Sequence, residues 1–496
     1  MSTKATFSIL HYLSCQKSNE LKSLDAYAVF LIVVFFLLRL YGITNPPLEV
    51  NHNWRQATTN MYARNFLEVD NNPLYCRVDM AGDLSGITAK EFPLFNYLIY
   101  LAAEVFGWQH WYGRLISLVV SSFGIWFFYL LVKIYLDAPQ SSIVNRQSKI
   151  AFPATVILLC SIWFGHSRII MPDTFSVSLV LAGLWFGLEW LHRGGAWRLV
   201  LFGLLGTLGA LSKLPSGFLL AALAFPFFDK TILPKRKIGL AAMGTVLLAC
   251  CGWWYFQWLP QVIQTYGFEH YPMRSLGTGM REILHGLPTV FERFYRSALK
   301  SYVGFGLYVA GLGLAIYRKE WKLLGLFGLL SVVFVGYMFK SGSSFYHHNY
   351  YIIPFVPVMA VMAGFALAQI PRQWVRNLLL LAVAVEGIAN QQDAFRIKKS
   401  ELPKLQLETI ADSLSQRSDI VAFYSEEGNP QEMYFAHRKG WLVSAAQIKD
   451  TSYLADLRER GCRLLFINKK WLEKGKWPPW EVIYEDDNYL VFKLID

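Results

Sequence analysis

Long apolar runs, separated by short polar segments, dominate this amino-acid sequence. Many of the runs have about the length, roughly 20 residues, that a helix needs to cross the hydrocarbon core of a bilayer. The composition agrees, because 54% of the residues are hydrophobic and only 17% are charged, whereas a soluble domain carries about 25% charged residues. The pattern therefore predicts a polytopic α-helical membrane protein.

Basic residues lie in short clusters between the apolar runs, and such clusters stay on the cytoplasmic side of a membrane. Lys17 and Lys22 precede the first run, so the N-terminus is predicted to be cytoplasmic. An arrangement of about eleven spans keeps every short basic loop on that side. The predicted spans are 27–41, 115–136, 151–164, 175–191, 199–211, 216–228, 238–259, 303–317, 323–339, 351–367 and 378–388. These loops account for the net charge of +12, so no nucleic-acid partner is predicted.

The external side of this topology collects the unusual polar residues, most of them in a long first external loop at 44–111. The apolar stretch 92–105 is short for a crossing, and counting it as a span would move all later basic loops outside. We predict that it is a helix lying on or re-entering the outer leaflet. A short amphipathic helix along the interface is also predicted around Met61 and Phe66.

The C-terminal tail changes character and is predicted to form a small α/β domain outside the membrane. Residues 419–425 and 489–495 alternate like strands, 463–467 is a further short strand, and 453–461 has the pattern of a helix that ends at a glycine.

We therefore divide the chain into a membrane domain at 1–392, which contains the first external loop, and a C-terminal domain at 393–496. A disulfide between Cys76 and Cys462 stays open, because a sequence does not show whether two cysteines are close together. There is no phosphate-binding loop of the Walker type and no G-x-G-x-x-G opening a helix, which argues against a nucleotide-driven pump.

Eight short motifs follow one another on the predicted external side and together carry a resemblance. They are H-x-W-R-Q at 52–56, A-R-N-F at 63–66, V-D-x-x-G at 78–82, E-F-P-L at 91–94, G-R-L at 113–115, R-I-I-M-P-D at 168–173, K-L-P at 213–215 and H-H-N-Y-Y-I-I-P at 347–354. This set resembles the bacterial membrane glycosyltransferases related to protein O-mannosyltransferases and to the lipid A aminoarabinose transferase, which form the PMT-like branch of the GT-C fold. The resemblance covers most of 41–367.

The resemblance implies a GT-C fold in a bacterial inner membrane and an inverting glycosyltransferase. Such an enzyme takes a sugar from a polyprenyl-phosphate donor, undecaprenyl phosphate in bacteria, and passes it to a glycan, lipid or protein acceptor at the outer face. An acidic residue of the first external loop acts as general base. This chemistry suits the external side, because a lipid-linked phosphate needs cations at headgroup depth and an acceptor hydroxyl needs a carboxylate within hydrogen-bond reach.

Four acids are candidates for catalysis. Glu49 is the acid nearest to the start of the loop, and its alternative is a solvated loop acid. Asp79 is the rival base, with an Asx turn as its alternative. Glu91 binds the sugar or a divalent metal ion, or merely favours a helix N-terminus. Asp173 matches an outward acid of the relatives, or caps a helix.

Basic residues on the same side are candidates for the substrates. For the donor phosphate we expect Arg55, Lys213, Arg274 and Arg168, although Lys213 snorkels in the simpler interpretation and Arg168 pairs with Asp173 in another. For the remaining substrate groups the candidates are His52, His347, His348 and Arg114. His347 is also a candidate metal ligand together with Glu91.

Two other classes of protein stay open. A secondary transporter would have inverted repeats and polar residues at the membrane midplane, but the sequence has no convincing repeat and its polar residues gather at one face. A flippase or ligase of polyprenyl lipids would share a basic outer groove, and the sequence barely separates it from a glycosyltransferase.

Overall fold

The computed structural model describes residues 19–136, 148–268, 274–425, 428–471 and 480–495. The chain divides into two units. Unit 1 comprises Met1–Ile43, Arg114–Trp254 and Met273–Asp393, and unit 2 comprises Thr44–Gly113, Tyr255–Pro272 and Ala394–Asp496. The first external loop therefore groups with the C-terminal domain, which the apolar pattern of the sequence does not indicate.

Unit 1 consists of helices. Its α-helices are Asn19–Leu38, Tyr112–Leu136, Ser148–Cys160, Trp163–His166, Pro172–Arg193, Ala196–Ser212, Ala224–Phe227, Pro234–Trp253, Leu276–His285, Leu287–Glu292, Tyr302–Tyr317, Trp321–Ser341, Ser343–His347, Val356–Ala368 and Gln373–Ala389, with 3-10 helices at Leu214–Leu223 and Asn349–Phe355. Small residues let neighbouring helices approach closely. A methyl group on Gly183 would lie 2.8 Å from the backbone nitrogen of Gly206, so the helices Pro172–Arg193 and Ala196–Ser212 touch through their backbones.

Five helices in the described ranges are long and apolar enough to cross a membrane: Tyr112–Ile134, Pro172–Arg193, Pro234–Tyr266, Trp321–Ser341 and Asn349–Ala368. A sixth crossing results if Leu287–Ala298 and Tyr302–Tyr317, bent by 105°, count as one span. Further apolar helices of 10–17 residues cover Asp25–Leu38, Leu94–Phe106, Ile150–Cys160, Ala196–Ser212 and Leu214–Phe227. The helical, apolar architecture is as predicted, and the count of eleven spans stays a prediction.

The bend of 105° has a local cause. Lys300 has a left-handed backbone with φ 55, and Ser301 caps the next helix by accepting a hydrogen bond from Gly304 N at 2.9 Å. The Glu386 carboxylate accepts from Tyr302 N at 2.9 Å. These acceptors satisfy N–H groups that a helix start leaves open, so the chain begins a new helix in a new direction.

Unit 2 combines helices of the first external loop with a five-stranded sheet. Its α-helices are Asn53–Glu68, Leu94–Phe106, Leu259–Tyr266, Leu407–Leu414, Gln431–Ala436 and Thr451–Glu459, and its strands are β1 (Ile420–Tyr424), β2 (Lys439–Val443), β3 (Cys462–Asn468), β4 (Val482–Glu485) and β5 (Tyr489–Lys493). The strand order is β2-β1-β3-β5-β4. β1 is parallel to β2 and β3, and β5 is antiparallel to β3 and β4.

The C-terminal α/β domain and three of its strands, β1, β3 and β5, are as predicted, and β2 and β4 were not predicted. Side chains alternate between the two faces of the sheet. One face packs on the first external loop in a shared core that contains Leu48, Met61, Phe66, Phe423 and Phe466. The other face packs on helix Thr451–Glu459.

Both helices predicted in the first external loop exist, with one correction. The stretch 92–105 forms helix Leu94–Phe106, and its position in the outer leaflet stays a prediction. The helix around Met61 and Phe66 is longer than predicted and spans Asn53–Glu68. Its polar residues from Arg55 to Arg64 are buried as well as its apolar ones. It is therefore an interior helix of unit 2, and the prediction of an amphipathic interfacial helix was wrong.

Candidate active site

Asp173 and Lys213 form a buried ion pair in unit 1. Asp173 lies in the first turn of helix Pro172–Arg193, and Lys213 directly follows helix Ala196–Ser212. Lys213 Nζ lies 3.3 Å from Asp173 Oδ1, and the two residues are 7% and 3% exposed. The cap position of this helix is Met171, without a side-chain hydrogen bond, so capping does not explain the carboxylate.

Aromatic rings surround this ion pair. Lys213 Nζ lies 5.4 Å from the ring centre of Tyr350 and 5.7 Å from that of Tyr351. His348 stacks on Tyr350 with ring centres 5.2 Å apart. Cation–π contacts of this kind gain strength when the cation is desolvated. Among the residues that the structure describes, none donates a hydrogen bond to the buried Oδ2 of Asp173.

The Arg168 guanidinium binds backbone carbonyls. Its Nη2 donates to the carbonyl of Gly42 at 2.9 Å, and its Nη1 donates to the carbonyl of Tyr41. Nearby, the Arg39 guanidinium donates to the hydroxyl of Ser167. Both arginines are fully buried. They connect the end of the first helix of unit 1 to the segment that precedes helix Pro172–Arg193. Arg168 therefore has a structural role, and its contact with the donor phosphate stays a prediction.

Glu49 lies in unit 2 and is fully buried. Its backbone forms an antiparallel bridge with Ile397, and the N–H of Val50 donates to the carbonyl of Arg396 at 2.9 Å. The side-chain amide of Asn45 donates to Glu49 Oε1 at 3.0 Å. A side-chain amide therefore orients the carboxylate, and a bridge to the start of the C-terminal domain fixes the backbone of the same residue.

Asp79 has a different environment in the same unit. Arg64 Nη2 donates to Asp79 Oδ2 at 2.8 Å, and Asn65 Nδ2 donates to Oδ1 at 2.7 Å. Arg64 also donates to the carbonyl of Tyr434 at 2.9 Å. Both oxygens of Asp79 thus hold strong donors, one of them charged. This arrangement fits a buried structural ion pair and replaces the Asx-turn interpretation.

Arg55 and Glu91 form a looser pair at the start of the helix Leu94–Phe106. Arg55 Nη2 lies 3.7 Å from Glu91 Oε1. The neighbouring Lys90 is buried, and its Nζ lies 3.6 Å from the ring centre of Tyr62. His52 directly precedes helix Asn53–Glu68 with a left-handed φ of 52. Two cations and one acid of the first external loop therefore lie close together.

The remaining candidates lie in unit 1. Arg274 is bound to the carboxylate of Glu282, His347 is exposed at the end of helix Ser343–His347, and Arg114 is fully buried in helix Tyr112–Leu136. In the described part of the chain, no three His, Cys, Asp or Glu side chains group closely enough to hold a metal ion. A metal site on Glu91 and His347 stays a prediction.

The structure brings Asp173 together with Lys213 and Arg55 together with Glu91, and it gives Asp79, Arg168 and Arg274 other partners. The convergence of all candidates in one pocket stays a prediction. Sequence reasoning missed three kinds of residue: Asn45, Lys90 and the tyrosines at Lys213. Lys90 directly precedes the candidate Glu91 in the sequence, and this neighbour could have indicated it. Asn45 lies outside all eight motifs, so no motif of the sequence indicated its role.

The fold is that of the GT-C membrane glycosyltransferases. Residues 90–256 match the family described as dolichyl-phosphate-mannose-protein mannosyltransferase. The resemblance to the PMT-like branch that the eight motifs carry is thereby confirmed. No curated protein matches the sequence significantly.

Two solved structures illustrate the likeness. ArnT from Cupriavidus metallidurans, solved with undecaprenyl phosphate bound, is 14% identical with a TM-score of 0.60, and the match covers 94% of this chain and 98% of that one. The archaeal oligosaccharyltransferase AglB from Archaeoglobus fulgidus, solved with an inhibitory peptide and a dolichol-phosphate, is 12% identical with a TM-score of 0.53, and the match covers 91% of this chain and 69% of that one.

Proposed function

We propose that this protein transfers a sugar from a polyprenyl-phosphate-linked donor to an acceptor at the extracytoplasmic face of a bacterial inner membrane. The fold supports this proposal, since the similar ArnT and AglB structures hold undecaprenyl phosphate and dolichol-phosphate. An apolar cavity in unit 1, lined by Leu181, Leu219 and Phe327 among others, offers a place for a polyprenyl chain. The observation that carries the proposal is a buried, oriented carboxylate, Glu49, in a chain with this fold.

Glu49 is the general base in this proposal. Asp79 is the weaker candidate, because Arg64 and Asn65 bind its two oxygens. A base must accept a proton, and a charged donor on the carboxylate opposes that step. For Glu49, the side-chain amide of Asn45 donates to Oε1 at 3.0 Å and orients the carboxylate.

The reaction is a single displacement. Glu49 accepts the proton of the acceptor hydroxyl, and the hydroxyl oxygen forms a bond to the anomeric carbon of the sugar. The bond between that carbon and the phosphate oxygen breaks, and polyprenyl phosphate leaves with the bonding electrons. Attack from the side opposite to the phosphate inverts the anomeric configuration.

The donor phosphate gains negative charge as it leaves, so cations stabilise the transition state. Arg55 is the predicted cation of unit 2 that we retain, and the buried Lys90 of the same unit is added. Lys213, in unit 1, stays a candidate from the sequence. Arg168 and Arg274 are weaker candidates, because backbone carbonyls and Glu282 respectively bind their guanidinium groups. No step of this mechanism uses a metal ion.

The test uses the full-length protein in lipid nanodiscs. A panel of undecaprenyl-phosphate-linked radiolabelled sugars, with a cell-envelope extract as acceptor source, should yield undecaprenyl phosphate and labelled acceptor. General-base catalysis contributes about 10²- to 10⁴-fold, so Glu49→Gln should lower turnover by about that factor. Failure of every donor in the panel would refute the function, and full turnover of Glu49→Gln would refute the base.

A further inference from the structure

The helix Gln431–Ala436, which we name the anchor helix, brings the C-terminal domain into contact with the first external loop. Gln431 Nε2 donates to the carbonyl of Pro47 at 3.0 Å. Three residues further on, the Tyr434 hydroxyl accepts from Asn60 Nδ2 at 3.3 Å and lies 2.7 Å from His110 Nδ1. One short helix thus binds the segment before Glu49 and also the helix that follows it.

Two further hydrogen bonds hold the Gln431 side chain that contacts Pro47. Gln431 is fully buried, and its Oε1 accepts from Lys404 Nζ at 2.7 Å and from Asn429 Nδ2 at 3.1 Å. With its oxygen held by two donors, the amide of Gln431 has its nitrogen directed at the Pro47 carbonyl. A buried amide whose oxygen and nitrogen are both hydrogen-bonded has little rotational freedom. It therefore restrains the position of the backbone carbonyl to which it donates.

The carboxylate of Glu49 lies two residues beyond that carbonyl. Asn45 Nδ2 donates both to Glu49 Oε1 at 3.0 Å and to the carbonyl of Phe395 at 3.3 Å. The antiparallel bridge between Glu49 and Ile397 fixes the same segment on its other side. Phe395 and Ile397 lie at the start of the C-terminal domain.

We propose that the C-terminal domain positions the Glu49 carboxylate, through Gln431 on the Pro47 carbonyl and through Asn45 between Glu49 and Phe395. This inference rests on the proposed function, in which Glu49 is the base. Asn45 and Gln431 are positioning residues. A base that is oriented by a third group is a common feature of active sites, and here that orientation depends on a domain remote in the sequence.

The first test needs no substrate. Hydrogen–deuterium exchange of a peptide that covers residues 44–52 reports the backbone bond from Val50 to Arg396 directly. In the full-length protein in nanodiscs, Gln431→Ala should speed exchange of the Val50 amide at least about 10-fold. Gln406→Ala, at an exposed glutamine of the same domain, should leave it unchanged. Unchanged exchange in Gln431→Ala would overturn the proposal.

The second test separates positioning from mere folding and uses Asn45, which is only half-buried. Asn45→Ala should lower kcat at least about 10-fold while the KM for the labelled undecaprenyl-phosphate sugar stays within about 2-fold. Asn45→Asp places a like charge beside Glu49, which raises the pKa of that base. The acidic limb of its pH–rate profile should therefore move to higher pH.

The two failures are distinguishable. If both Asn45 variants kept the wild-type kcat and pH profile while Glu49→Gln lowered turnover as expected, the positioning role would be overturned and the base assignment would stand. If Glu49→Gln kept full turnover, the base assignment would fail, and the exchange experiment would still decide whether the anchor helix holds the segment at 44–50.

Discussion

Lys213 Nζ lies 3.3 Å from Asp173 Oδ1, and the side chains are only 8% and 4% exposed. The pair joins the ends of two helices that touch through glycines. A buried ion pair is costly to form, because both ions lose their hydration, but removal of one partner leaves an uncompensated charge. Asp173, at the start of one apolar helix, therefore has its partner in a lysine at the end of the next helix.

The first prediction concerns this pair. Lys213→Met leaves the Asp173 carboxylate buried without its cation and should destabilise unit 1 by about 3–5 kcal/mol. The double variant Asp173→Asn, Lys213→Met removes both charges and should regain part of that loss. Thermal unfolding in detergent measures the Tm of each variant. A double variant less stable than Lys213→Met would contradict the expected coupling.

The second prediction concerns the motif V-D-x-x-G. Gly82 has a left-handed φ of +60, and a methyl group there would lie 2.1 Å from Trp441 Nε1. Gly82→Ala should therefore cost more than the roughly 1–2 kcal/mol of left-handed backbone strain alone, because the indole of β2 must move. Gly461→Ala is the matched control, since Gly461 has φ +88 and open space around it.

The measurement is the free energy of unfolding of each variant. In a Trp441→Ala background, Gly82→Ala should lower this free energy no more than Gly461→Ala does. If Gly82→Ala and Gly461→Ala lowered the free energy of unfolding equally in the wild-type background, the Trp441 indole would move aside without loss of stability, which would contradict the prediction.

These contacts also mark what the sequence allows one to predict. Apolar runs and strand alternation indicate the membrane class, helix Leu94–Phe106 and three strands of the C-terminal sheet, because they depend on local periodicity. The pairing of Asp173 with Lys213 and the packing of Trp441 against Gly82 are contacts between residues far apart in the sequence. Periodicity carries no information on such contacts, which is why the donors on Asp79 and the contact of Asn45 to Glu49 were not predicted.

The third prediction is a pH dependence. Burial raises the pKa of Glu68, but the hydrogen bond and the charge of His437 outweigh it, so the pKa of Glu68 lies below its usual range. The pKa of Glu408 is lowered as well, since burial is outweighed by hydrogen bonds from Arg417 and His437. A lowered pKa stabilises the folded state above the unfolded value of about 4.3, and this stability is lost as pH falls through the folded pKa.

His437→Gln removes the link between these two carboxylates. We expect it to be less stable than the wild type at pH 6, by at most about 1 kcal/mol because the groups are partly exposed. The difference should shrink as the pH falls below about 4. Thermal unfolding from pH 3 to pH 7 measures it, with Gln406→Ala as a control without pH dependence. A constant difference across that range would contradict the prediction.

The last prediction concerns Cys76 and Cys462, for which the sequence left a disulfide open. Both are free and buried in the structure, and burial raises the pKa of each thiol to about 12. Because the thiolate is the reactive form, neither cysteine should react with N-ethylmaleimide at pH 8 in the folded protein, whereas both should react after unfolding without a reductant. Peptide mass spectrometry distinguishes the states. Two peptides joined through Cys76 and Cys462, with a mass about two hydrogens below the sum of the separate thiol peptides, would demonstrate a bridge. Rapid labelling of Cys76 in the folded protein would demonstrate that the shared core around it opens readily.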